Sequence, residues 1–336
     1  MYDNRKTAMP TRVTADAGSE QDRTSYRPAF ADYFADPFVF QHDGIYYAVG
    51  TGPGSEGLEI PMLCSHNFVD WHPIGCVLEK LPELGDCYWA PEVAYSNGAF
   101  YMYFSVGFGD KGHHLRVATS DRPEGPYRDI GRPLLDRCHA EFAIDASPFQ
   151  DADGQWYLFY SRDFLDSDNG ARPGTALVVS RLITMVDLEP EFQVVMRARH
   201  DWQRYQSKRS IYNGIYDWHT LEGPFTVRHN DRYYCLYSGG NWQNQTYGVD
   251  WVVSNHPMGP YTDTNDGMEP RLLITVPGEL IGPGHNSVVV GPDGVTQYLA
   301  FHAWDLQMTA RRFFLEPLGW NDSGPICLRN FSCETQ

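Results

Sequence analysis

Three carboxylates in this 336-residue chain share a setting. Asp36 stands directly before Pro37 in "ADPFVF", Asp145 three residues before Pro148 in "IDASPF", and Glu222 two before Pro224 in "EGPF", each where a strand-like run begins. Carboxylates brought together from distant parts of a chain can break a glycosidic bond. One acid protonates the leaving oxygen, and one base activates water or attacks the sugar. A third carboxylate beside the acid raises its pKa by like-charge repulsion. A single acidic residue at a strand start commonly does no more than cap a turn; recurrence at one position is what makes Asp36, Asp145 and Glu222 candidates. Ala90 in "YWAPEV" and His285 in "GPGHNS" occupy the equivalent place in two further segments. A lone histidine of this kind is more often a hydrogen-bonded core residue than a metal ligand. Aromatic residues at segment starts or in following loops, among them Trp89, Phe108, Phe164, Trp218, Trp242 and Trp304, could stack on a sugar, with Trp89 and Phe164 taken as substrate-binding candidates.

Positioning these residues falls to a repeat. Five segments, beginning at Asp36, Ala90, Asp145, Glu222 and Gly284, each read as strand, tight turn and strand. Asp43-Gly44, Asn97-Gly98, Asp153-Gly154, Asn230-Asp231 and Asp293-Gly294 supply residues that tolerate positive φ in hairpin loops. Aromatic and aliphatic residues then alternate with period two, and further strand-like pieces follow. Four strands repeated five times predict an all-β, five-bladed β-propeller with four-stranded antiparallel blades around a central channel, an architecture that leaves only short, protected sheet edges. Residues 1–30 read as an arm packed outside or disordered, and 31–336 as one propeller domain. The stretch between Leu182 and Trp218 is an excursion the repeat does not explain, and could hold a short helix.

The formal charge of −17 excludes a broad basic footprint for nucleic acid or an anionic membrane. The N-terminus lacks the apolar run of a secretory signal and no stretch of eighteen apolar residues occurs, so the expected location is the cytoplasm, or outside the cell where a signal has been removed. Seven scattered cysteines without a CxxC pair read as mostly reduced. "GPGSEG" (52–57) and "GFGDKG" (107–112) fit GxGxxG, but neither opens a helix within a βαβ unit, so both read as loops and no organic cofactor is expected.

From about Phe34 to Cys327 the chain resembles glycoside hydrolase family 43. The motifs that carry the likeness occur in order: "ADPFVF", "YWAPEV", "FAIDASPFQDADGQWYLFYS", "LEGPFTVRHNDRYYCLYSGG", "HPMGPY", "GPGHNSVVVGPDG" and "FHAWD". The resemblance implies Asp36 as general base, Glu222 as general acid and Asp145 as the carboxylate that tunes and orients the acid. It also implies that His285 reaches a hydrated Ca2+ in the channel. By its spacing to Trp320, Arg311 matches the family's arginine-bearing last strand, with Arg312 pointing away. The activity implied is inverting, exo-acting release of α-L-arabinofuranose, and of β-D-xylose, from arabino- or arabinoxylo-oligosaccharides. An endo-1,5-α-L-arabinanase and a non-catalytic sugar-binding propeller are the alternatives.

Overall fold

The computed structural model describes residues 25–135 and 140–331, and its strands pair almost entirely antiparallel. Asp43-Gly44, Asn97-Gly98 and Asn230-Asp231 each hold both residues at positive φ between paired flanks. Their twist matches that of the strands they join. Asp153-Gly154 and Asp293-Gly294 lie in longer loops where only the glycine is at positive φ. Both GxGxxG stretches connect the second and third strands of a sheet.

Three sheets have four strands in sequential order. The first runs Ala35–His42, Ile45–Thr51, Leu58–Ser65, His72–Glu79; the second Cys87–Ser96, Ala99–Phe108, Lys111–Ser120, Arg128–Asp129; the last Ile281–Val290, Gln297–Trp304, Arg311–Trp320, Pro325–Cys327. Between the second and last lies a nine-stranded sheet. Its halves, Ala143–Gln150 to Gly174–Thr184 and Gly214–His229 to Gly248–Ser254, meet through two parallel pairs, Gly174↔His219 and Thr175↔Thr220. The excursion holds strands and a 3-10 turn at Asp201–Gln203 rather than a longer helix: Gln193–Met196 pairs on Gly174–Thr184, and Arg204–Ile211 pairs with the first half of Gly214–His229.

Apolar clusters fill the spaces between successive strand groups. One joins the last group back to the first, bringing Val289, Ala300 and Phe313 against Phe34, Val39 and Ala48. The described end of the N-terminal segment follows the same seam: Phe30 bridges to Phe313 and Tyr26 is buried beside Trp251 and Leu318. Residues 1–24 of the expected arm lie outside the described residues.

The feature that builds the site is one bulge repeated five times. Pairing slips by one residue between Ala35 and Phe38, Trp89 and Glu92, Ile144 and Ser147, Glu222 and Phe225, and Gly284 and Ser287. In each bulge the residue after the first of these has φ near +50 to +60°: Asp36, Ala90, Asp145, Gly223 and His285. A non-glycine side chain in this region costs about 1–2 kcal/mol, so the surroundings must hold it there. Four of these N–H groups, freed from the ladder, donate to side chains: Asp36 to His302 Nδ1 (3.0 Å), Ala90 to Thr51 Oγ1 (2.8 Å), Gly223 to Asp145 Oδ2 (2.8 Å) and His285 to Ser238 Oγ (2.7 Å). Thr51, Ser238 and His302 are themselves the cross-strand partners of Ala35, Glu222 and Gly284, so each group braces the next.

Ser238→Ala should therefore cost more than a buried hydroxyl usually does. It strands the His285 N–H in a fully buried place, and an unpaired buried donor costs about 1–3 kcal/mol. Urea unfolding should show that loss; a change below half a kcal/mol would mean the bulge does not depend on the serine.

Candidate active site

The bulges deliver two rows of side chains to one place. Asp36, Asp145 and His285, at positive φ, turn into a cavity of about 180 Å³. The row one residue earlier adds Trp89, Ile144 and Glu222, while Tyr33, Thr51, Trp242 and Arg311 complete the wall. Glu222 is thus not the equivalent of Asp36 and Asp145, as the repeat in the sequence suggests; Gly223 is. The alignment of Pro37, Pro91 and Pro224, each after a bulge residue, carried that signal.

Asp36 is kept ionised. Burial works against its charge, but the Arg311 guanidinium holds it well below the usual carboxylate range. Arg311 Nη1 donates to Asp36 Oδ1 at 3.2 Å and Nη2 to the Tyr33 hydroxyl at 2.8 Å, with the guanidinium 4.5 Å from the Trp242 ring centre. His302 Nδ1 lies 3.0 Å from the Asp36 nitrogen and 3.1 Å from Asp36 Oδ1. It cannot serve both, and a backbone N–H can only donate, so Nδ1 accepts and the ring proton sits on Nε2. Burial moves His302 down to about 4, and also lowers His285, so both rings are neutral near pH 7. The negative charge beside Arg311 is Asp36 alone.

Glu222 is the opposite case. Burial, and then the Asp36 charge, push it up to about 7, against a donated hydrogen bond from the Tyr247 hydroxyl to Oε1 at 2.6 Å. Burial pushes Tyr247 well above its ordinary value, so it remains a donor. Asp145 is raised by burial and by Glu222, while its Oδ2 takes the Gly223 N–H. Two buried carboxyls in mutual repulsion keep a proton between them near neutrality. With Oε1 accepting from Tyr247, Oε2 is the Glu222 oxygen left to carry a proton. Tyr247 packs so closely that a Cβ on Gly284 would lie 1.9 Å from its Cε1, which is why glycine stands there. Near Asp145, burial raises Glu92 well above its ordinary value.

Trp89 lines the cavity with its other face stacked on His113, the ring centres 3.6 Å apart. Arg311 lines it too, and Arg312 turns outward to Ala31 O and Asp305. Phe164 does not reach it: its ring packs on Phe192 under the Arg197 guanidinium, while its neighbour Asp163 faces the adjoining space, as strand alternation requires. Trp218 is core, almost fully buried. Tyr33, Tyr247 and His302 escape a reading of the sequence because they lie outside the repeated strand starts.

The calcium implied at His285 finds no cage of protein ligands. Among the described residues no three His, Cys, Asp or Glu side chains are grouped to hold an ion, and calcium takes six to eight oxygens. Buried atoms without partners beside the bulges include His302 Nε2 and both Asn286 Nδ2 and Oδ1, donors together with an acceptor. Water suits them better than calcium does.

A carboxylate held ionised and a carboxyl raised to about 7, in one aromatic-walled cavity, are the working parts of a glycoside hydrolase. The sequence profile of glycosyl hydrolases family 43 matches residues 26–326, and the chain belongs to that family. A β-D-galactofuranosidase of Aspergillus niger is 27 % identical over 91 % of this chain and 85 % of its own length. A xylosidase/arabinosidase of Bacteroides ovatus is 24 % identical over 69 % of this chain and 77 % of its own. The crystal structure of a thermostable family-43 glycoside hydrolase superposes with a TM-score of 0.75 at 27 % identity, covering 90 % of this chain and 96 % of that one. Structures of the family are β-propellers. The protein is a glycoside hydrolase, which removes the reading as a non-catalytic sugar-binding propeller.

The pH profile should report both neighbours of Glu222. Activity that needs its proton is present below its pKa and lost as pH rises through it. Tyr247→Phe removes a bond to the charged form, so the alkaline limb should move up; Asp145→Asn removes a repelling charge, so it should move down. Limbs that stay in place while rates fall would reduce both residues to structural supports.

Proposed function

We propose that the enzyme is an inverting, exo-acting glycosidase that releases α-L-arabinofuranosyl, and in the same pocket β-D-xylosyl, units from arabino- or arabinoxylo-oligosaccharides. The observation that carries it is the division of charge: Asp36 held well below the ordinary range beside Arg311, Glu222 raised to about 7. In this reading the Asp36 carboxylate takes a proton from water as its oxygen attacks the anomeric carbon. The glycosidic bond breaks, Glu222 gives its proton to the departing oxygen, and Asp36 and Glu222 end protonated and ionised. Proton exchange with solvent restores them. Asp145 raises and orients the acid, and Trp89 and Arg311 bind the sugar.

A cavity of about 180 Å³ lies below the about 300–1,000 Å³ of sites for drug-sized ligands, and suits one sugar ring. That supports exo action. A five-membered sugar ring is common to arabinofuranosides and the galactofuranosides for which the Aspergillus niger relative is named, which supports a furanoside preference. The larger cavity beyond Glu222 is what favours the endo-arabinanase alternative. For the architecture, we propose that the two halves of the nine-stranded sheet are two blades, each with its own bulge, making five in all.

Leaving-group dependence tests the roles. A sugar alkoxide needs the acid's proton, and a nitrophenolate can largely do without it. Glu222→Ala should therefore cripple hydrolysis of oligosaccharides by about 10²–10⁴-fold and that of nitrophenyl arabinofuranoside, xyloside or galactofuranoside far less. Asp36→Ala should damage all alike. Equal losses in Glu222→Ala across leaving groups would show that it is not the acid.

A further inference from the structure

The strand that carries Glu222 is sixteen residues long, twice the length of its pairing partners. Its second half pairs with Arg232–Gly239; its first half pairs with Arg204–Ile211, so a hairpin stands off the sheet just before the acid. The hairpin closes on Tyr212-Asn213, both at positive φ, the geometry of a tight two-residue turn. The tip is tied down. The Tyr212 hydroxyl donates to Asp163 Oδ2 at 2.7 Å, and Thr175 Oγ1 donates to Asp163 Oδ1 at 2.8 Å, so a half-buried carboxyl ties the hairpin tip to the wall of a cavity of about 750 Å³.

The two cavities divide the carboxyls between them. Glu222, Trp89, Ile144 and Trp242 line both, whereas Asp36, Asp145, His285 and Arg311 line only the small one. An acid must face the departing oxygen, with the base across the sugar ring from it. If Glu222 is the acid, the bond that breaks lies at the junction, and what departs must lie in the larger cavity. Its charged walls have both signs: Asp110, Glu141 and Asp163 against Lys111 and Arg209. Arg209 lies 3.6 Å from Asp110 and over the rings of Tyr205 and Trp218. Such a wall selects no charged ligand, but its donors and acceptors suit the hydroxyls of a neutral sugar.

We propose that the hairpin 204–221, latched by Tyr212 to Asp163, is the binding site for the neutral glycosyl unit on the leaving-group side, and that it sets which oligosaccharides the enzyme accepts. The inference rests on the roles proposed for Asp36 and Glu222. Three probes separate the cavities. Arabinotriose fills both, arabinofuranosyl fluoride has a leaving group too small to enter the larger one, and free arabinose, as a competitive inhibitor, occupies the small one. Arg209→Ala and Tyr212→Phe should each raise KM for arabinotriose, roughly tenfold for Arg209, which can offer a charged hydrogen bond. The kcat/KM for the fluoride and inhibition by arabinose should stay within twofold of wild type, which also reports that the variants fold.

Unchanged KM for arabinotriose in both variants would overturn the proposal, as would equal losses on arabinotriose and the fluoride, which would make the hairpin a support for Glu222. A wild-type enzyme that hydrolyses neither probe would instead overturn the substrate reading, and the hairpin site with it.

Discussion

The site depends on a backbone conformation that most residues avoid. In five strands a bulge forces one residue to φ near +50 to +60°. At Ile144 and Asp145 the bulge aims two consecutive side chains into the cavity, where regular pleating would send them to opposite faces. It also frees an N–H that must be satisfied locally. The answers to that second demand tie strand groups together: His302 from the last sheet takes the Asp36 N–H, Thr51 of the first takes that of Ala90, and Asp145 takes that of Gly223. Asp145 is thus a brace as well as a neighbour of Glu222. Catalytic geometry and the packing of the ring share the same atoms.

Given that placement, one cation decides which carboxyl is charged. All three are buried, and burial alone would keep all three protonated. Arg311 reaches Asp36 and, clamped by Tyr33 and Trp242, cannot follow the other carboxyls. The Asp36 charge then raises both others, so ionisation of Asp36 favours a proton on the Glu222 and Asp145 pair. The histidines contribute by staying neutral, so that Arg311 alone offsets the Asp36 charge. Without Arg311, burial would favour the neutral form of all three carboxyls.

Much of this was legible because the repeat is legible. Turn residues, alternating strands and prolines after strand starts point to Asp36, Asp145, Glu222 and His285, and spacing to Trp320 points to Arg311 rather than Arg312. The bulge left one faint mark, the prolines that follow Asp36, Ala90 and Gly223, and alignment on the carboxylates passes over it. That is why Glu222 reads as level with Asp36 when Gly223 holds that place. Phe164 misleads for a related reason: a paired strand turns alternate residues away, and the sequence does not say which of Asp163 and Phe164 faces inward. Tyr247 could not be found from pattern at all. It stands at the end of a loop, and only the missing side chain at Gly284 admits its ring to Glu222. The hairpin 204–221 hid in plain view as a strand twice too long.

The proposed mechanism turns on whether Asp36, ionised beside Arg311, acts on water or on the sugar itself. The configuration of the first sugar released decides between these, followed by proton NMR before mutarotation obscures it. A base that activates water on the face opposite the leaving group must invert the anomeric carbon. The inverted anomer should therefore appear first, with the other growing in only as mutarotation proceeds. Initial appearance of the retained anomer would mean a covalent intermediate on a carboxylate, and would contradict the role of Asp36 as the base that activates water.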